Sequence, residues 1–267
     1  MATRHKVFLI KNNLMNISKI LKPTVFGSLI ILSSACSKTS DWDPSSTLPP
    51  PTPEPITQYT DPELIQMVQS DALKYFWDYA ETNSKLARER YHTDNPGNDA
   101  NTVSTGGSGF GLMTILVGIK NGTIPRSEAV SRLTTALNFL QNANRFHGAW
   151  PHWINGANGN VIPFSTKDNG GDLVETAFLA QGLICVREYF KTSTDTTEMA
   201  LSTKADDLWK GVEWNWYTKG GEKVLYWHWS PENGWEMNHK LQGYDETLVT
   251  YILAASSPTY PIDAETF

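Results

Sequence analysis

Carboxylates fall in three groups, each at or just before an apolar run: Asp168, Asp172 and Glu175; Glu232 and Glu236; Asp245 and Glu246. Cutting a glycosidic bond takes a proton donor and a second group that activates water or attacks the anomeric carbon, so grouped acids are where such chemistry would sit. Asp172 and Glu175 are three residues apart and share one side of a helix start. The same spacing also serves as a cap, with Asp172 taking a backbone N–H and Glu175 reaching back. Capping would lower the Glu175 pKa, which suits a base. An acid at this position needs burial or a neighbouring carboxylate to raise it. Glu175 is the first catalytic candidate, with Asp172 beside it and Glu246 as a further one.

Around these acids the connecting segments are rich in tryptophan. Trp150 and Trp153 lie in the stretch from His147 to Asn155, and Trp227, Trp229 and Trp235 in the stretch from Tyr226 to Asn238. Indole faces suit the C–H side of a pyranose, and polar neighbours suit its hydroxyl edge. Expected substrate contacts are Trp150, His152, Trp153, Trp227, His228, Trp229, Trp235, Glu236, Asn238 and Asp245; the competing role for the indoles is to plug the ends of a barrel. His147, His152, His228 and His239 show neither the i, i+4 spacing nor the paired cysteines of a zinc site, so no metal is expected. The glycines from Gly106 to Gly111 lack the Gly-Lys-Ser/Thr ending of a phosphate loop and fit close helix packing better, and no cofactor is expected.

Six helical segments must position these groups, and they alternate between two kinds. Asp61 to Glu81, Ser127 to Asn144 and Thr197 to Trp214 are amphipathic; the first has Asp61 as its expected N-cap and a core face of Ile65, Val68, Ala72, Phe76 and Tyr79. Phe110 to Ile119, Leu173 to Val186 and Leu248 to Ala255 are apolar almost all round, as expected of helices buried on every side, and recur at roughly seventy residues. Three hairpins with apolar helices inside and amphipathic ones outside predict an all-α fold, an (α/α)6 toroid or barrel of which about three of six hairpins are present. The expected domain is residues 61–267, the N-terminal half of such a barrel.

The 267 residues carry 22 Lys plus Arg against 28 Asp plus Glu, a net charge of -6. All five charged residues before Cys36 are basic, so the remainder is more acidic still, which disfavours nucleic acid and uronate polymers and favours neutral substrates. Residues 1–35 combine that basic stretch with a short apolar run and read as a secretion signal, with Cys36 as a lipidated first residue. Leu32 lies four residues before Cys36 where a lipobox has three, and an ordinary cleaved signal is the alternative. Residues 36–60 hold six prolines and read as a stiff spacer. The expected location is exported, lipid-anchored in the periplasm or at the outer membrane of a Gram-negative cell, with membrane contact through Cys36 alone. Cys185 reads as a small hydrophobe.

Six ordered motifs carry a resemblance: Leu86-Ala-Arg-Glu-Arg90, Thr105-Gly-Gly-Ser-Gly-Phe-Gly111, Arg145-Phe-His-Gly-Ala-Trp-Pro-His-Trp153, Gly170-Gly-Asp-Leu-Val-Glu-Thr-Ala-Phe178, Tyr226-Trp-His-Trp-Ser-Pro231 and Ser257-Pro-Thr-Tyr-Pro-Ile262. Together they resemble the glucoamylase-like domain of Bacteroidetes lipoproteins, a group that includes the endo-β-1,2-glucanases of glycoside hydrolase family 144. The resemblance implies an (α/α)6 barrel, no cofactor, and hydrolysis of a neutral β-glucan, β-1,2-glucan favoured, with Glu175 as acid. The third inner helix opens Asp245-Glu246 where the family has Asn-Glu. Family members are longer, so the chain is expected to be truncated and inactive alone. Alternatives are a glycan-binding lipoprotein without turnover, or a polysaccharide lyase on the same toroid using Tyr and His.

Overall fold

A computed structural model describes residues 58–267; the expected signal, Cys36 and all but the end of the proline spacer lie outside the described residues. Among the described residues six α-helices run in chain order: α1 Asp61–Trp77, α2 Thr105–Lys120, α3 Arg126–Asn142, α4 Leu173–Phe190, α5 Thr196–Lys210 and α6 Leu248–Ser256. Among the described residues no helix is long and apolar enough to cross a membrane.

The two helix kinds sort as their patterns predict. Apolar α4 packs between α2 and α6 in an inner row, while α3 and α5 pack on each other outside it. Leu173, Leu179, Leu183, Val186 and Phe190 of α4 are wholly buried, each contributing roughly 1.5–3 kcal/mol of hydrophobic stabilisation. Helices α2 and α4 cross at glycines: a Cβ on Gly109 would lie 2.1 Å from the Phe178 carbonyl oxygen, and one on Gly182 2.4 Å from that of Gly109. Glycine weakens a helix by up to about 1 kcal/mol per residue, yet here its missing side chain is what lets the backbones meet. Helix α2 begins at Thr105, before the expected Phe110, with Ser104 as its cap: the Ser104 hydroxyl accepts the Gly107 N–H at 3.1 Å.

The architecture is an arc of an α/α toroid and does not close into a ring. Two expectations are corrected by that openness. Inner helices are not buried all round, since Phe110 and Val117 of α2 and Ile252 of α6 are exposed. The intended core face of α1 is also largely open, with Ile65 and Val68 in solvent and only Leu73 fully buried. The α1 cap lies one residue earlier than expected: Glu63 Oε2 accepts the Thr60 N–H and hydroxyl, both at 2.8 Å.

Short strands, unforeseen in segments read as loops, lace the connections at one end of the helices. Antiparallel β1 (Thr102–Ser104), β2 (Trp153–Asn155) and β3 (Val161–Ile162) form one sheet, with Ser104 opposite Trp153. β4 (Gly171–Asp172) pairs with β5 (His228–Trp229), setting Gly171 opposite Trp229 and Asp172 opposite His228. A 3₁₀ turn, Trp214–Thr218, follows α5.

Candidate active site

The N-termini of α2 and α4 converge on one carboxyl group. Asp172 caps α4: its Oδ1 accepts the Val174 and Glu175 N–H groups at 3.1 and 2.9 Å. Glu175 does not complete the capping box. Its side chain turns to the neighbouring helix, where Oε2 accepts the Gly106 N–H at 2.8 Å. A Cβ on Gly106 would stand 2.6 Å from that oxygen, so glycine makes this approach feasible. Burial, first, and then the negative charge of Asp172 push the Glu175 carboxyl up to about 7, while His152 and the Gly106 N–H oppose the rise and Glu246 adds to it. Both conditions that an acid at this position requires are met.

Asp172 has no exposed surface, and its second oxygen meets His152 Nδ1 at 2.8 Å. Burial works against charge on His152, but the Asp172 hydrogen bond and field outweigh it and raise the imidazole to about 9. Asp172 accepts three hydrogen bonds, from the Val174 and Glu175 N–H groups and from His152 Nδ1, and so orients both Glu175 and His152.

Asp168, in the turn preceding β4, joins this cluster. It is buried, and burial followed by repulsion from Asp172 raises its carboxyl to about 7. His228 lies 3.4 Å away without forming an ion pair. Its Nε2 accepts the Gly170 N–H at 3.1 Å, and burial lowers its pKa against the opposing field of Asp172, which disfavours the charged ring. His152, Asp168 and Asp172 offer donor atoms within 4.8 Å of one another, a spacing that could hold a metal ion. The His152 Nδ1–H donates to Asp172 Oδ2 at 2.8 Å, so a metal taking either of those atoms would have to displace that hydrogen bond and its proton.

Aromatic rings flank the cluster and the strands beside it. Phe164 lies against His152 at 4.1 Å and edge-on to Trp153 at 4.8 Å, and both rings are partly exposed. Trp229, partly exposed, sits beside Gly171 through the β4–β5 pair. Trp227 is partly buried against His239 and its carbonyl accepts the Leu173 N–H at 2.8 Å. Trp235 leans on Tyr217 and Tyr226.

Other expected contacts are placed elsewhere. Trp150 is fully buried, its indole donating to the Leu140 carbonyl at 3.0 Å beneath the Arg145 guanidinium; it is the plug, not a sugar platform. His228 is likewise interior and supports the Gly170 backbone. Glu236 pairs with Lys167 at 2.7 Å and Asn238 accepts from Lys219 at 3.0 Å, both at the surface. Asp245 turns back on Thr247, accepting its N–H and hydroxyl at the start of α6. Glu246 is exposed at the rim. Sequence reasoning grouped Asp168 with Asp172 and Glu175 without giving it a role, and passed over Phe164 and Gly106 as site residues. The one signal was the Asp168–Asp172 interval, which points to a loop acid beside the cap.

No family profile matches the chain. It is 47% identical over 210 residues to an exo β-1,2-glucooligosaccharide sophorohydrolase (non-reducing end) of Parabacteroides distasonis, covering 78% of this chain and 28% of that protein. The endo-β-1,2-glucanase of Chitinophaga pinensis, solved with sophorotriose and glucose, is 52% identical with a TM-score of 0.76, covering 78% of this chain and 50% of that one. A β-1,2-glucanase structure from Parabacteroides distasonis is 46% identical with a TM-score of 0.74, covering 78% and 29%. The chain spans half the length of these relatives or less. Identity at this level, carried by one continuous helical arc, makes the chain a homologue of the β-1,2-glucanases and glucoamylase-like proteins of Bacteroidetes.

Proposed function

We propose that this chain supplies the acid-bearing part of a glycoside hydrolase site acting on β-1,2-linked glucans, and that turnover requires further helical hairpins to close the arc. The observation that carries the reading is the Glu175 carboxyl, partly buried beside an Asp172–His152 pair and raised to about 7. A donor with that pKa is protonated often enough near neutrality to protonate a glycosidic oxygen and acidic enough to release the proton. Phe164, Trp153 and Trp229 offer apolar faces on which a glucosyl ring can rest, and Glu246, exposed and close enough for its charge to act on Glu175, is the candidate partner that activates water. The names of the relatives support β-1,2-linked glucose as the substrate class.

The test is reducing-sugar release from linear β-1,2-glucan by the chain alone and by the chain joined to the remaining half of the Chitinophaga pinensis enzyme. The chain alone is expected to be inactive and the joined protein active, with Glu175→Gln lowering its turnover by roughly 10²–10⁴-fold. A joined protein whose rate is indifferent to Glu175→Gln would refute the assignment. We also propose export and anchoring through Cys36, on the strength of the basic-apolar leader. Labelled palmitate should enter the wild-type protein and not Cys36→Ser; equal labelling of both would overturn the anchor.

A further inference from the structure

A second aromatic pocket, lined by Trp216, Trp235 and Tyr260, lies outside the carboxylate cluster. Trp216, in the 3₁₀ turn after α5, is 38% exposed, although indoles are among the most rewarding groups to bury. It is held rigidly nonetheless. The His147 ring stacks on one face at 3.6 Å with an interplanar angle of 13°, and His147 Nδ1 is fixed by Glu213 at 2.8 Å. Trp229 meets Trp216 edge-on at 5.7 Å. Trp216 also borders a cavity of about 760 Å³ that Trp235 and the half-exposed Tyr260 share. That volume is within the roughly 300–1,000 Å³ of small-molecule sites.

Polar groups are interleaved with these rings. Glu213, Asn215 and Asp263 bring acceptors to the cavity, and Lys219 is the one basic side chain on its wall. One rim is the turn through Gly220 and Gly221, at φ +87° and +97°, where a Cβ would meet nothing within 4 Å. Glycine both permits that left-handed backbone and leaves the rim free of side chains. Flat apolar faces with hydroxyl acceptors and little positive charge fit an uncharged sugar and disfavour uronates or phosphates.

We propose that Trp216, Trp235 and Tyr260 form a second binding site for neutral glucan, distinct from the Glu175 centre and joined to it through Trp229, whose backbone pairs with Gly171 next to Asp172. The proposal rests on the hydrolase reading for its ligand class and deepens it: a chain running over Trp229 would be held at two points, so long substrates gain avidity that short ones do not.

The test is affinity electrophoresis of the full chain in gels containing linear β-1,2-glucan or alginate, paired with far-UV circular dichroism to verify folding. Wild type is expected to be retarded by the glucan and not by alginate, and Trp216→Ala to weaken that retardation at least about tenfold. Tyr260→Ala probes the opposite wall without touching the His147 stack and should weaken it in the same direction even if Trp216→Ala misfolds. Absence of wild-type retardation, or retardation unchanged in folded variants, overturns the site. Glucan cut by the joined protein but not held at this pocket defeats this proposal alone, whereas glucan held here and never cut defeats only the hydrolase reading.

Discussion

Replacing Glu175 by Gln should stabilise the folded chain at alkaline pH while leaving its acid stability unchanged. In the folded state the carboxyl keeps its proton up to about 7 against 4.5 as the reference for an unfolded chain. Between those values the native state binds one more proton than the unfolded state, so stability falls by about 1.4 kcal/mol per pH unit. This acid's folded pKa is raised, so the loss is absent below about pH 4.5 and complete above about pH 7, reaching about 3 kcal/mol. Gln matches the protonated carboxyl in shape, its amide oxygen can still accept the Gly106 N–H, and it has nothing to ionise. At pH 8 the variant should therefore melt higher, by roughly 6–12 °C for a domain of this size. Melting curves by circular dichroism near pH 4 and near pH 8 provide the assay. A shift of equal size at both pH values, or a Gln variant that melts lower at pH 8, would show that Glu175 is not an ionised, desolvated carboxyl in the native state.

Asp172→Asn should drop the His152 pKa from about 9 toward its ordinary range, followed by imidazole proton NMR. Because that pKa is raised by folding, the stability lost in the variant should be full below about pH 6.5 and vanish as the pH passes about 9, the opposite sign to Glu175→Gln. Gly182→Ala would place a methyl 2.4 Å from the Gly109 carbonyl oxygen and force α2 off α4, costing roughly 1–3 kcal/mol or more in denaturant unfolding. Trp150→Phe removes the indole bond to Leu140 and contact area under Arg145; about 1–3 kcal/mol of destabilisation is expected, with glucan retardation in gels unchanged because the side chain is interior.

What the sequence by itself determined is what local pattern can encode. Apolar periodicity separates α2, α4 and α6 from α1, α3 and α5, because a helix that is greasy all round must lie inside its layer. Spacing alone singled out Asp172 and Glu175, since three residues on a helix start bring two acids together. Tertiary structure decided their roles. Spacing left Glu175 free to close a capping box or to act as an acid, but only the fold places Gly106, 69 residues away, where its N–H draws the Glu175 side chain off its own helix. The strands holding Trp229 beside Gly171 and His228 beside Asp172 are two residues long, too short to leave a periodic signal. Tryptophans of one connecting stretch were divided the same way: Trp150 fell under Arg145 in the core, whereas Trp153 stays partly exposed against Phe164. Burial and proton affinity depend on what distant segments bring within a few ångströms, and no local spacing contains that information.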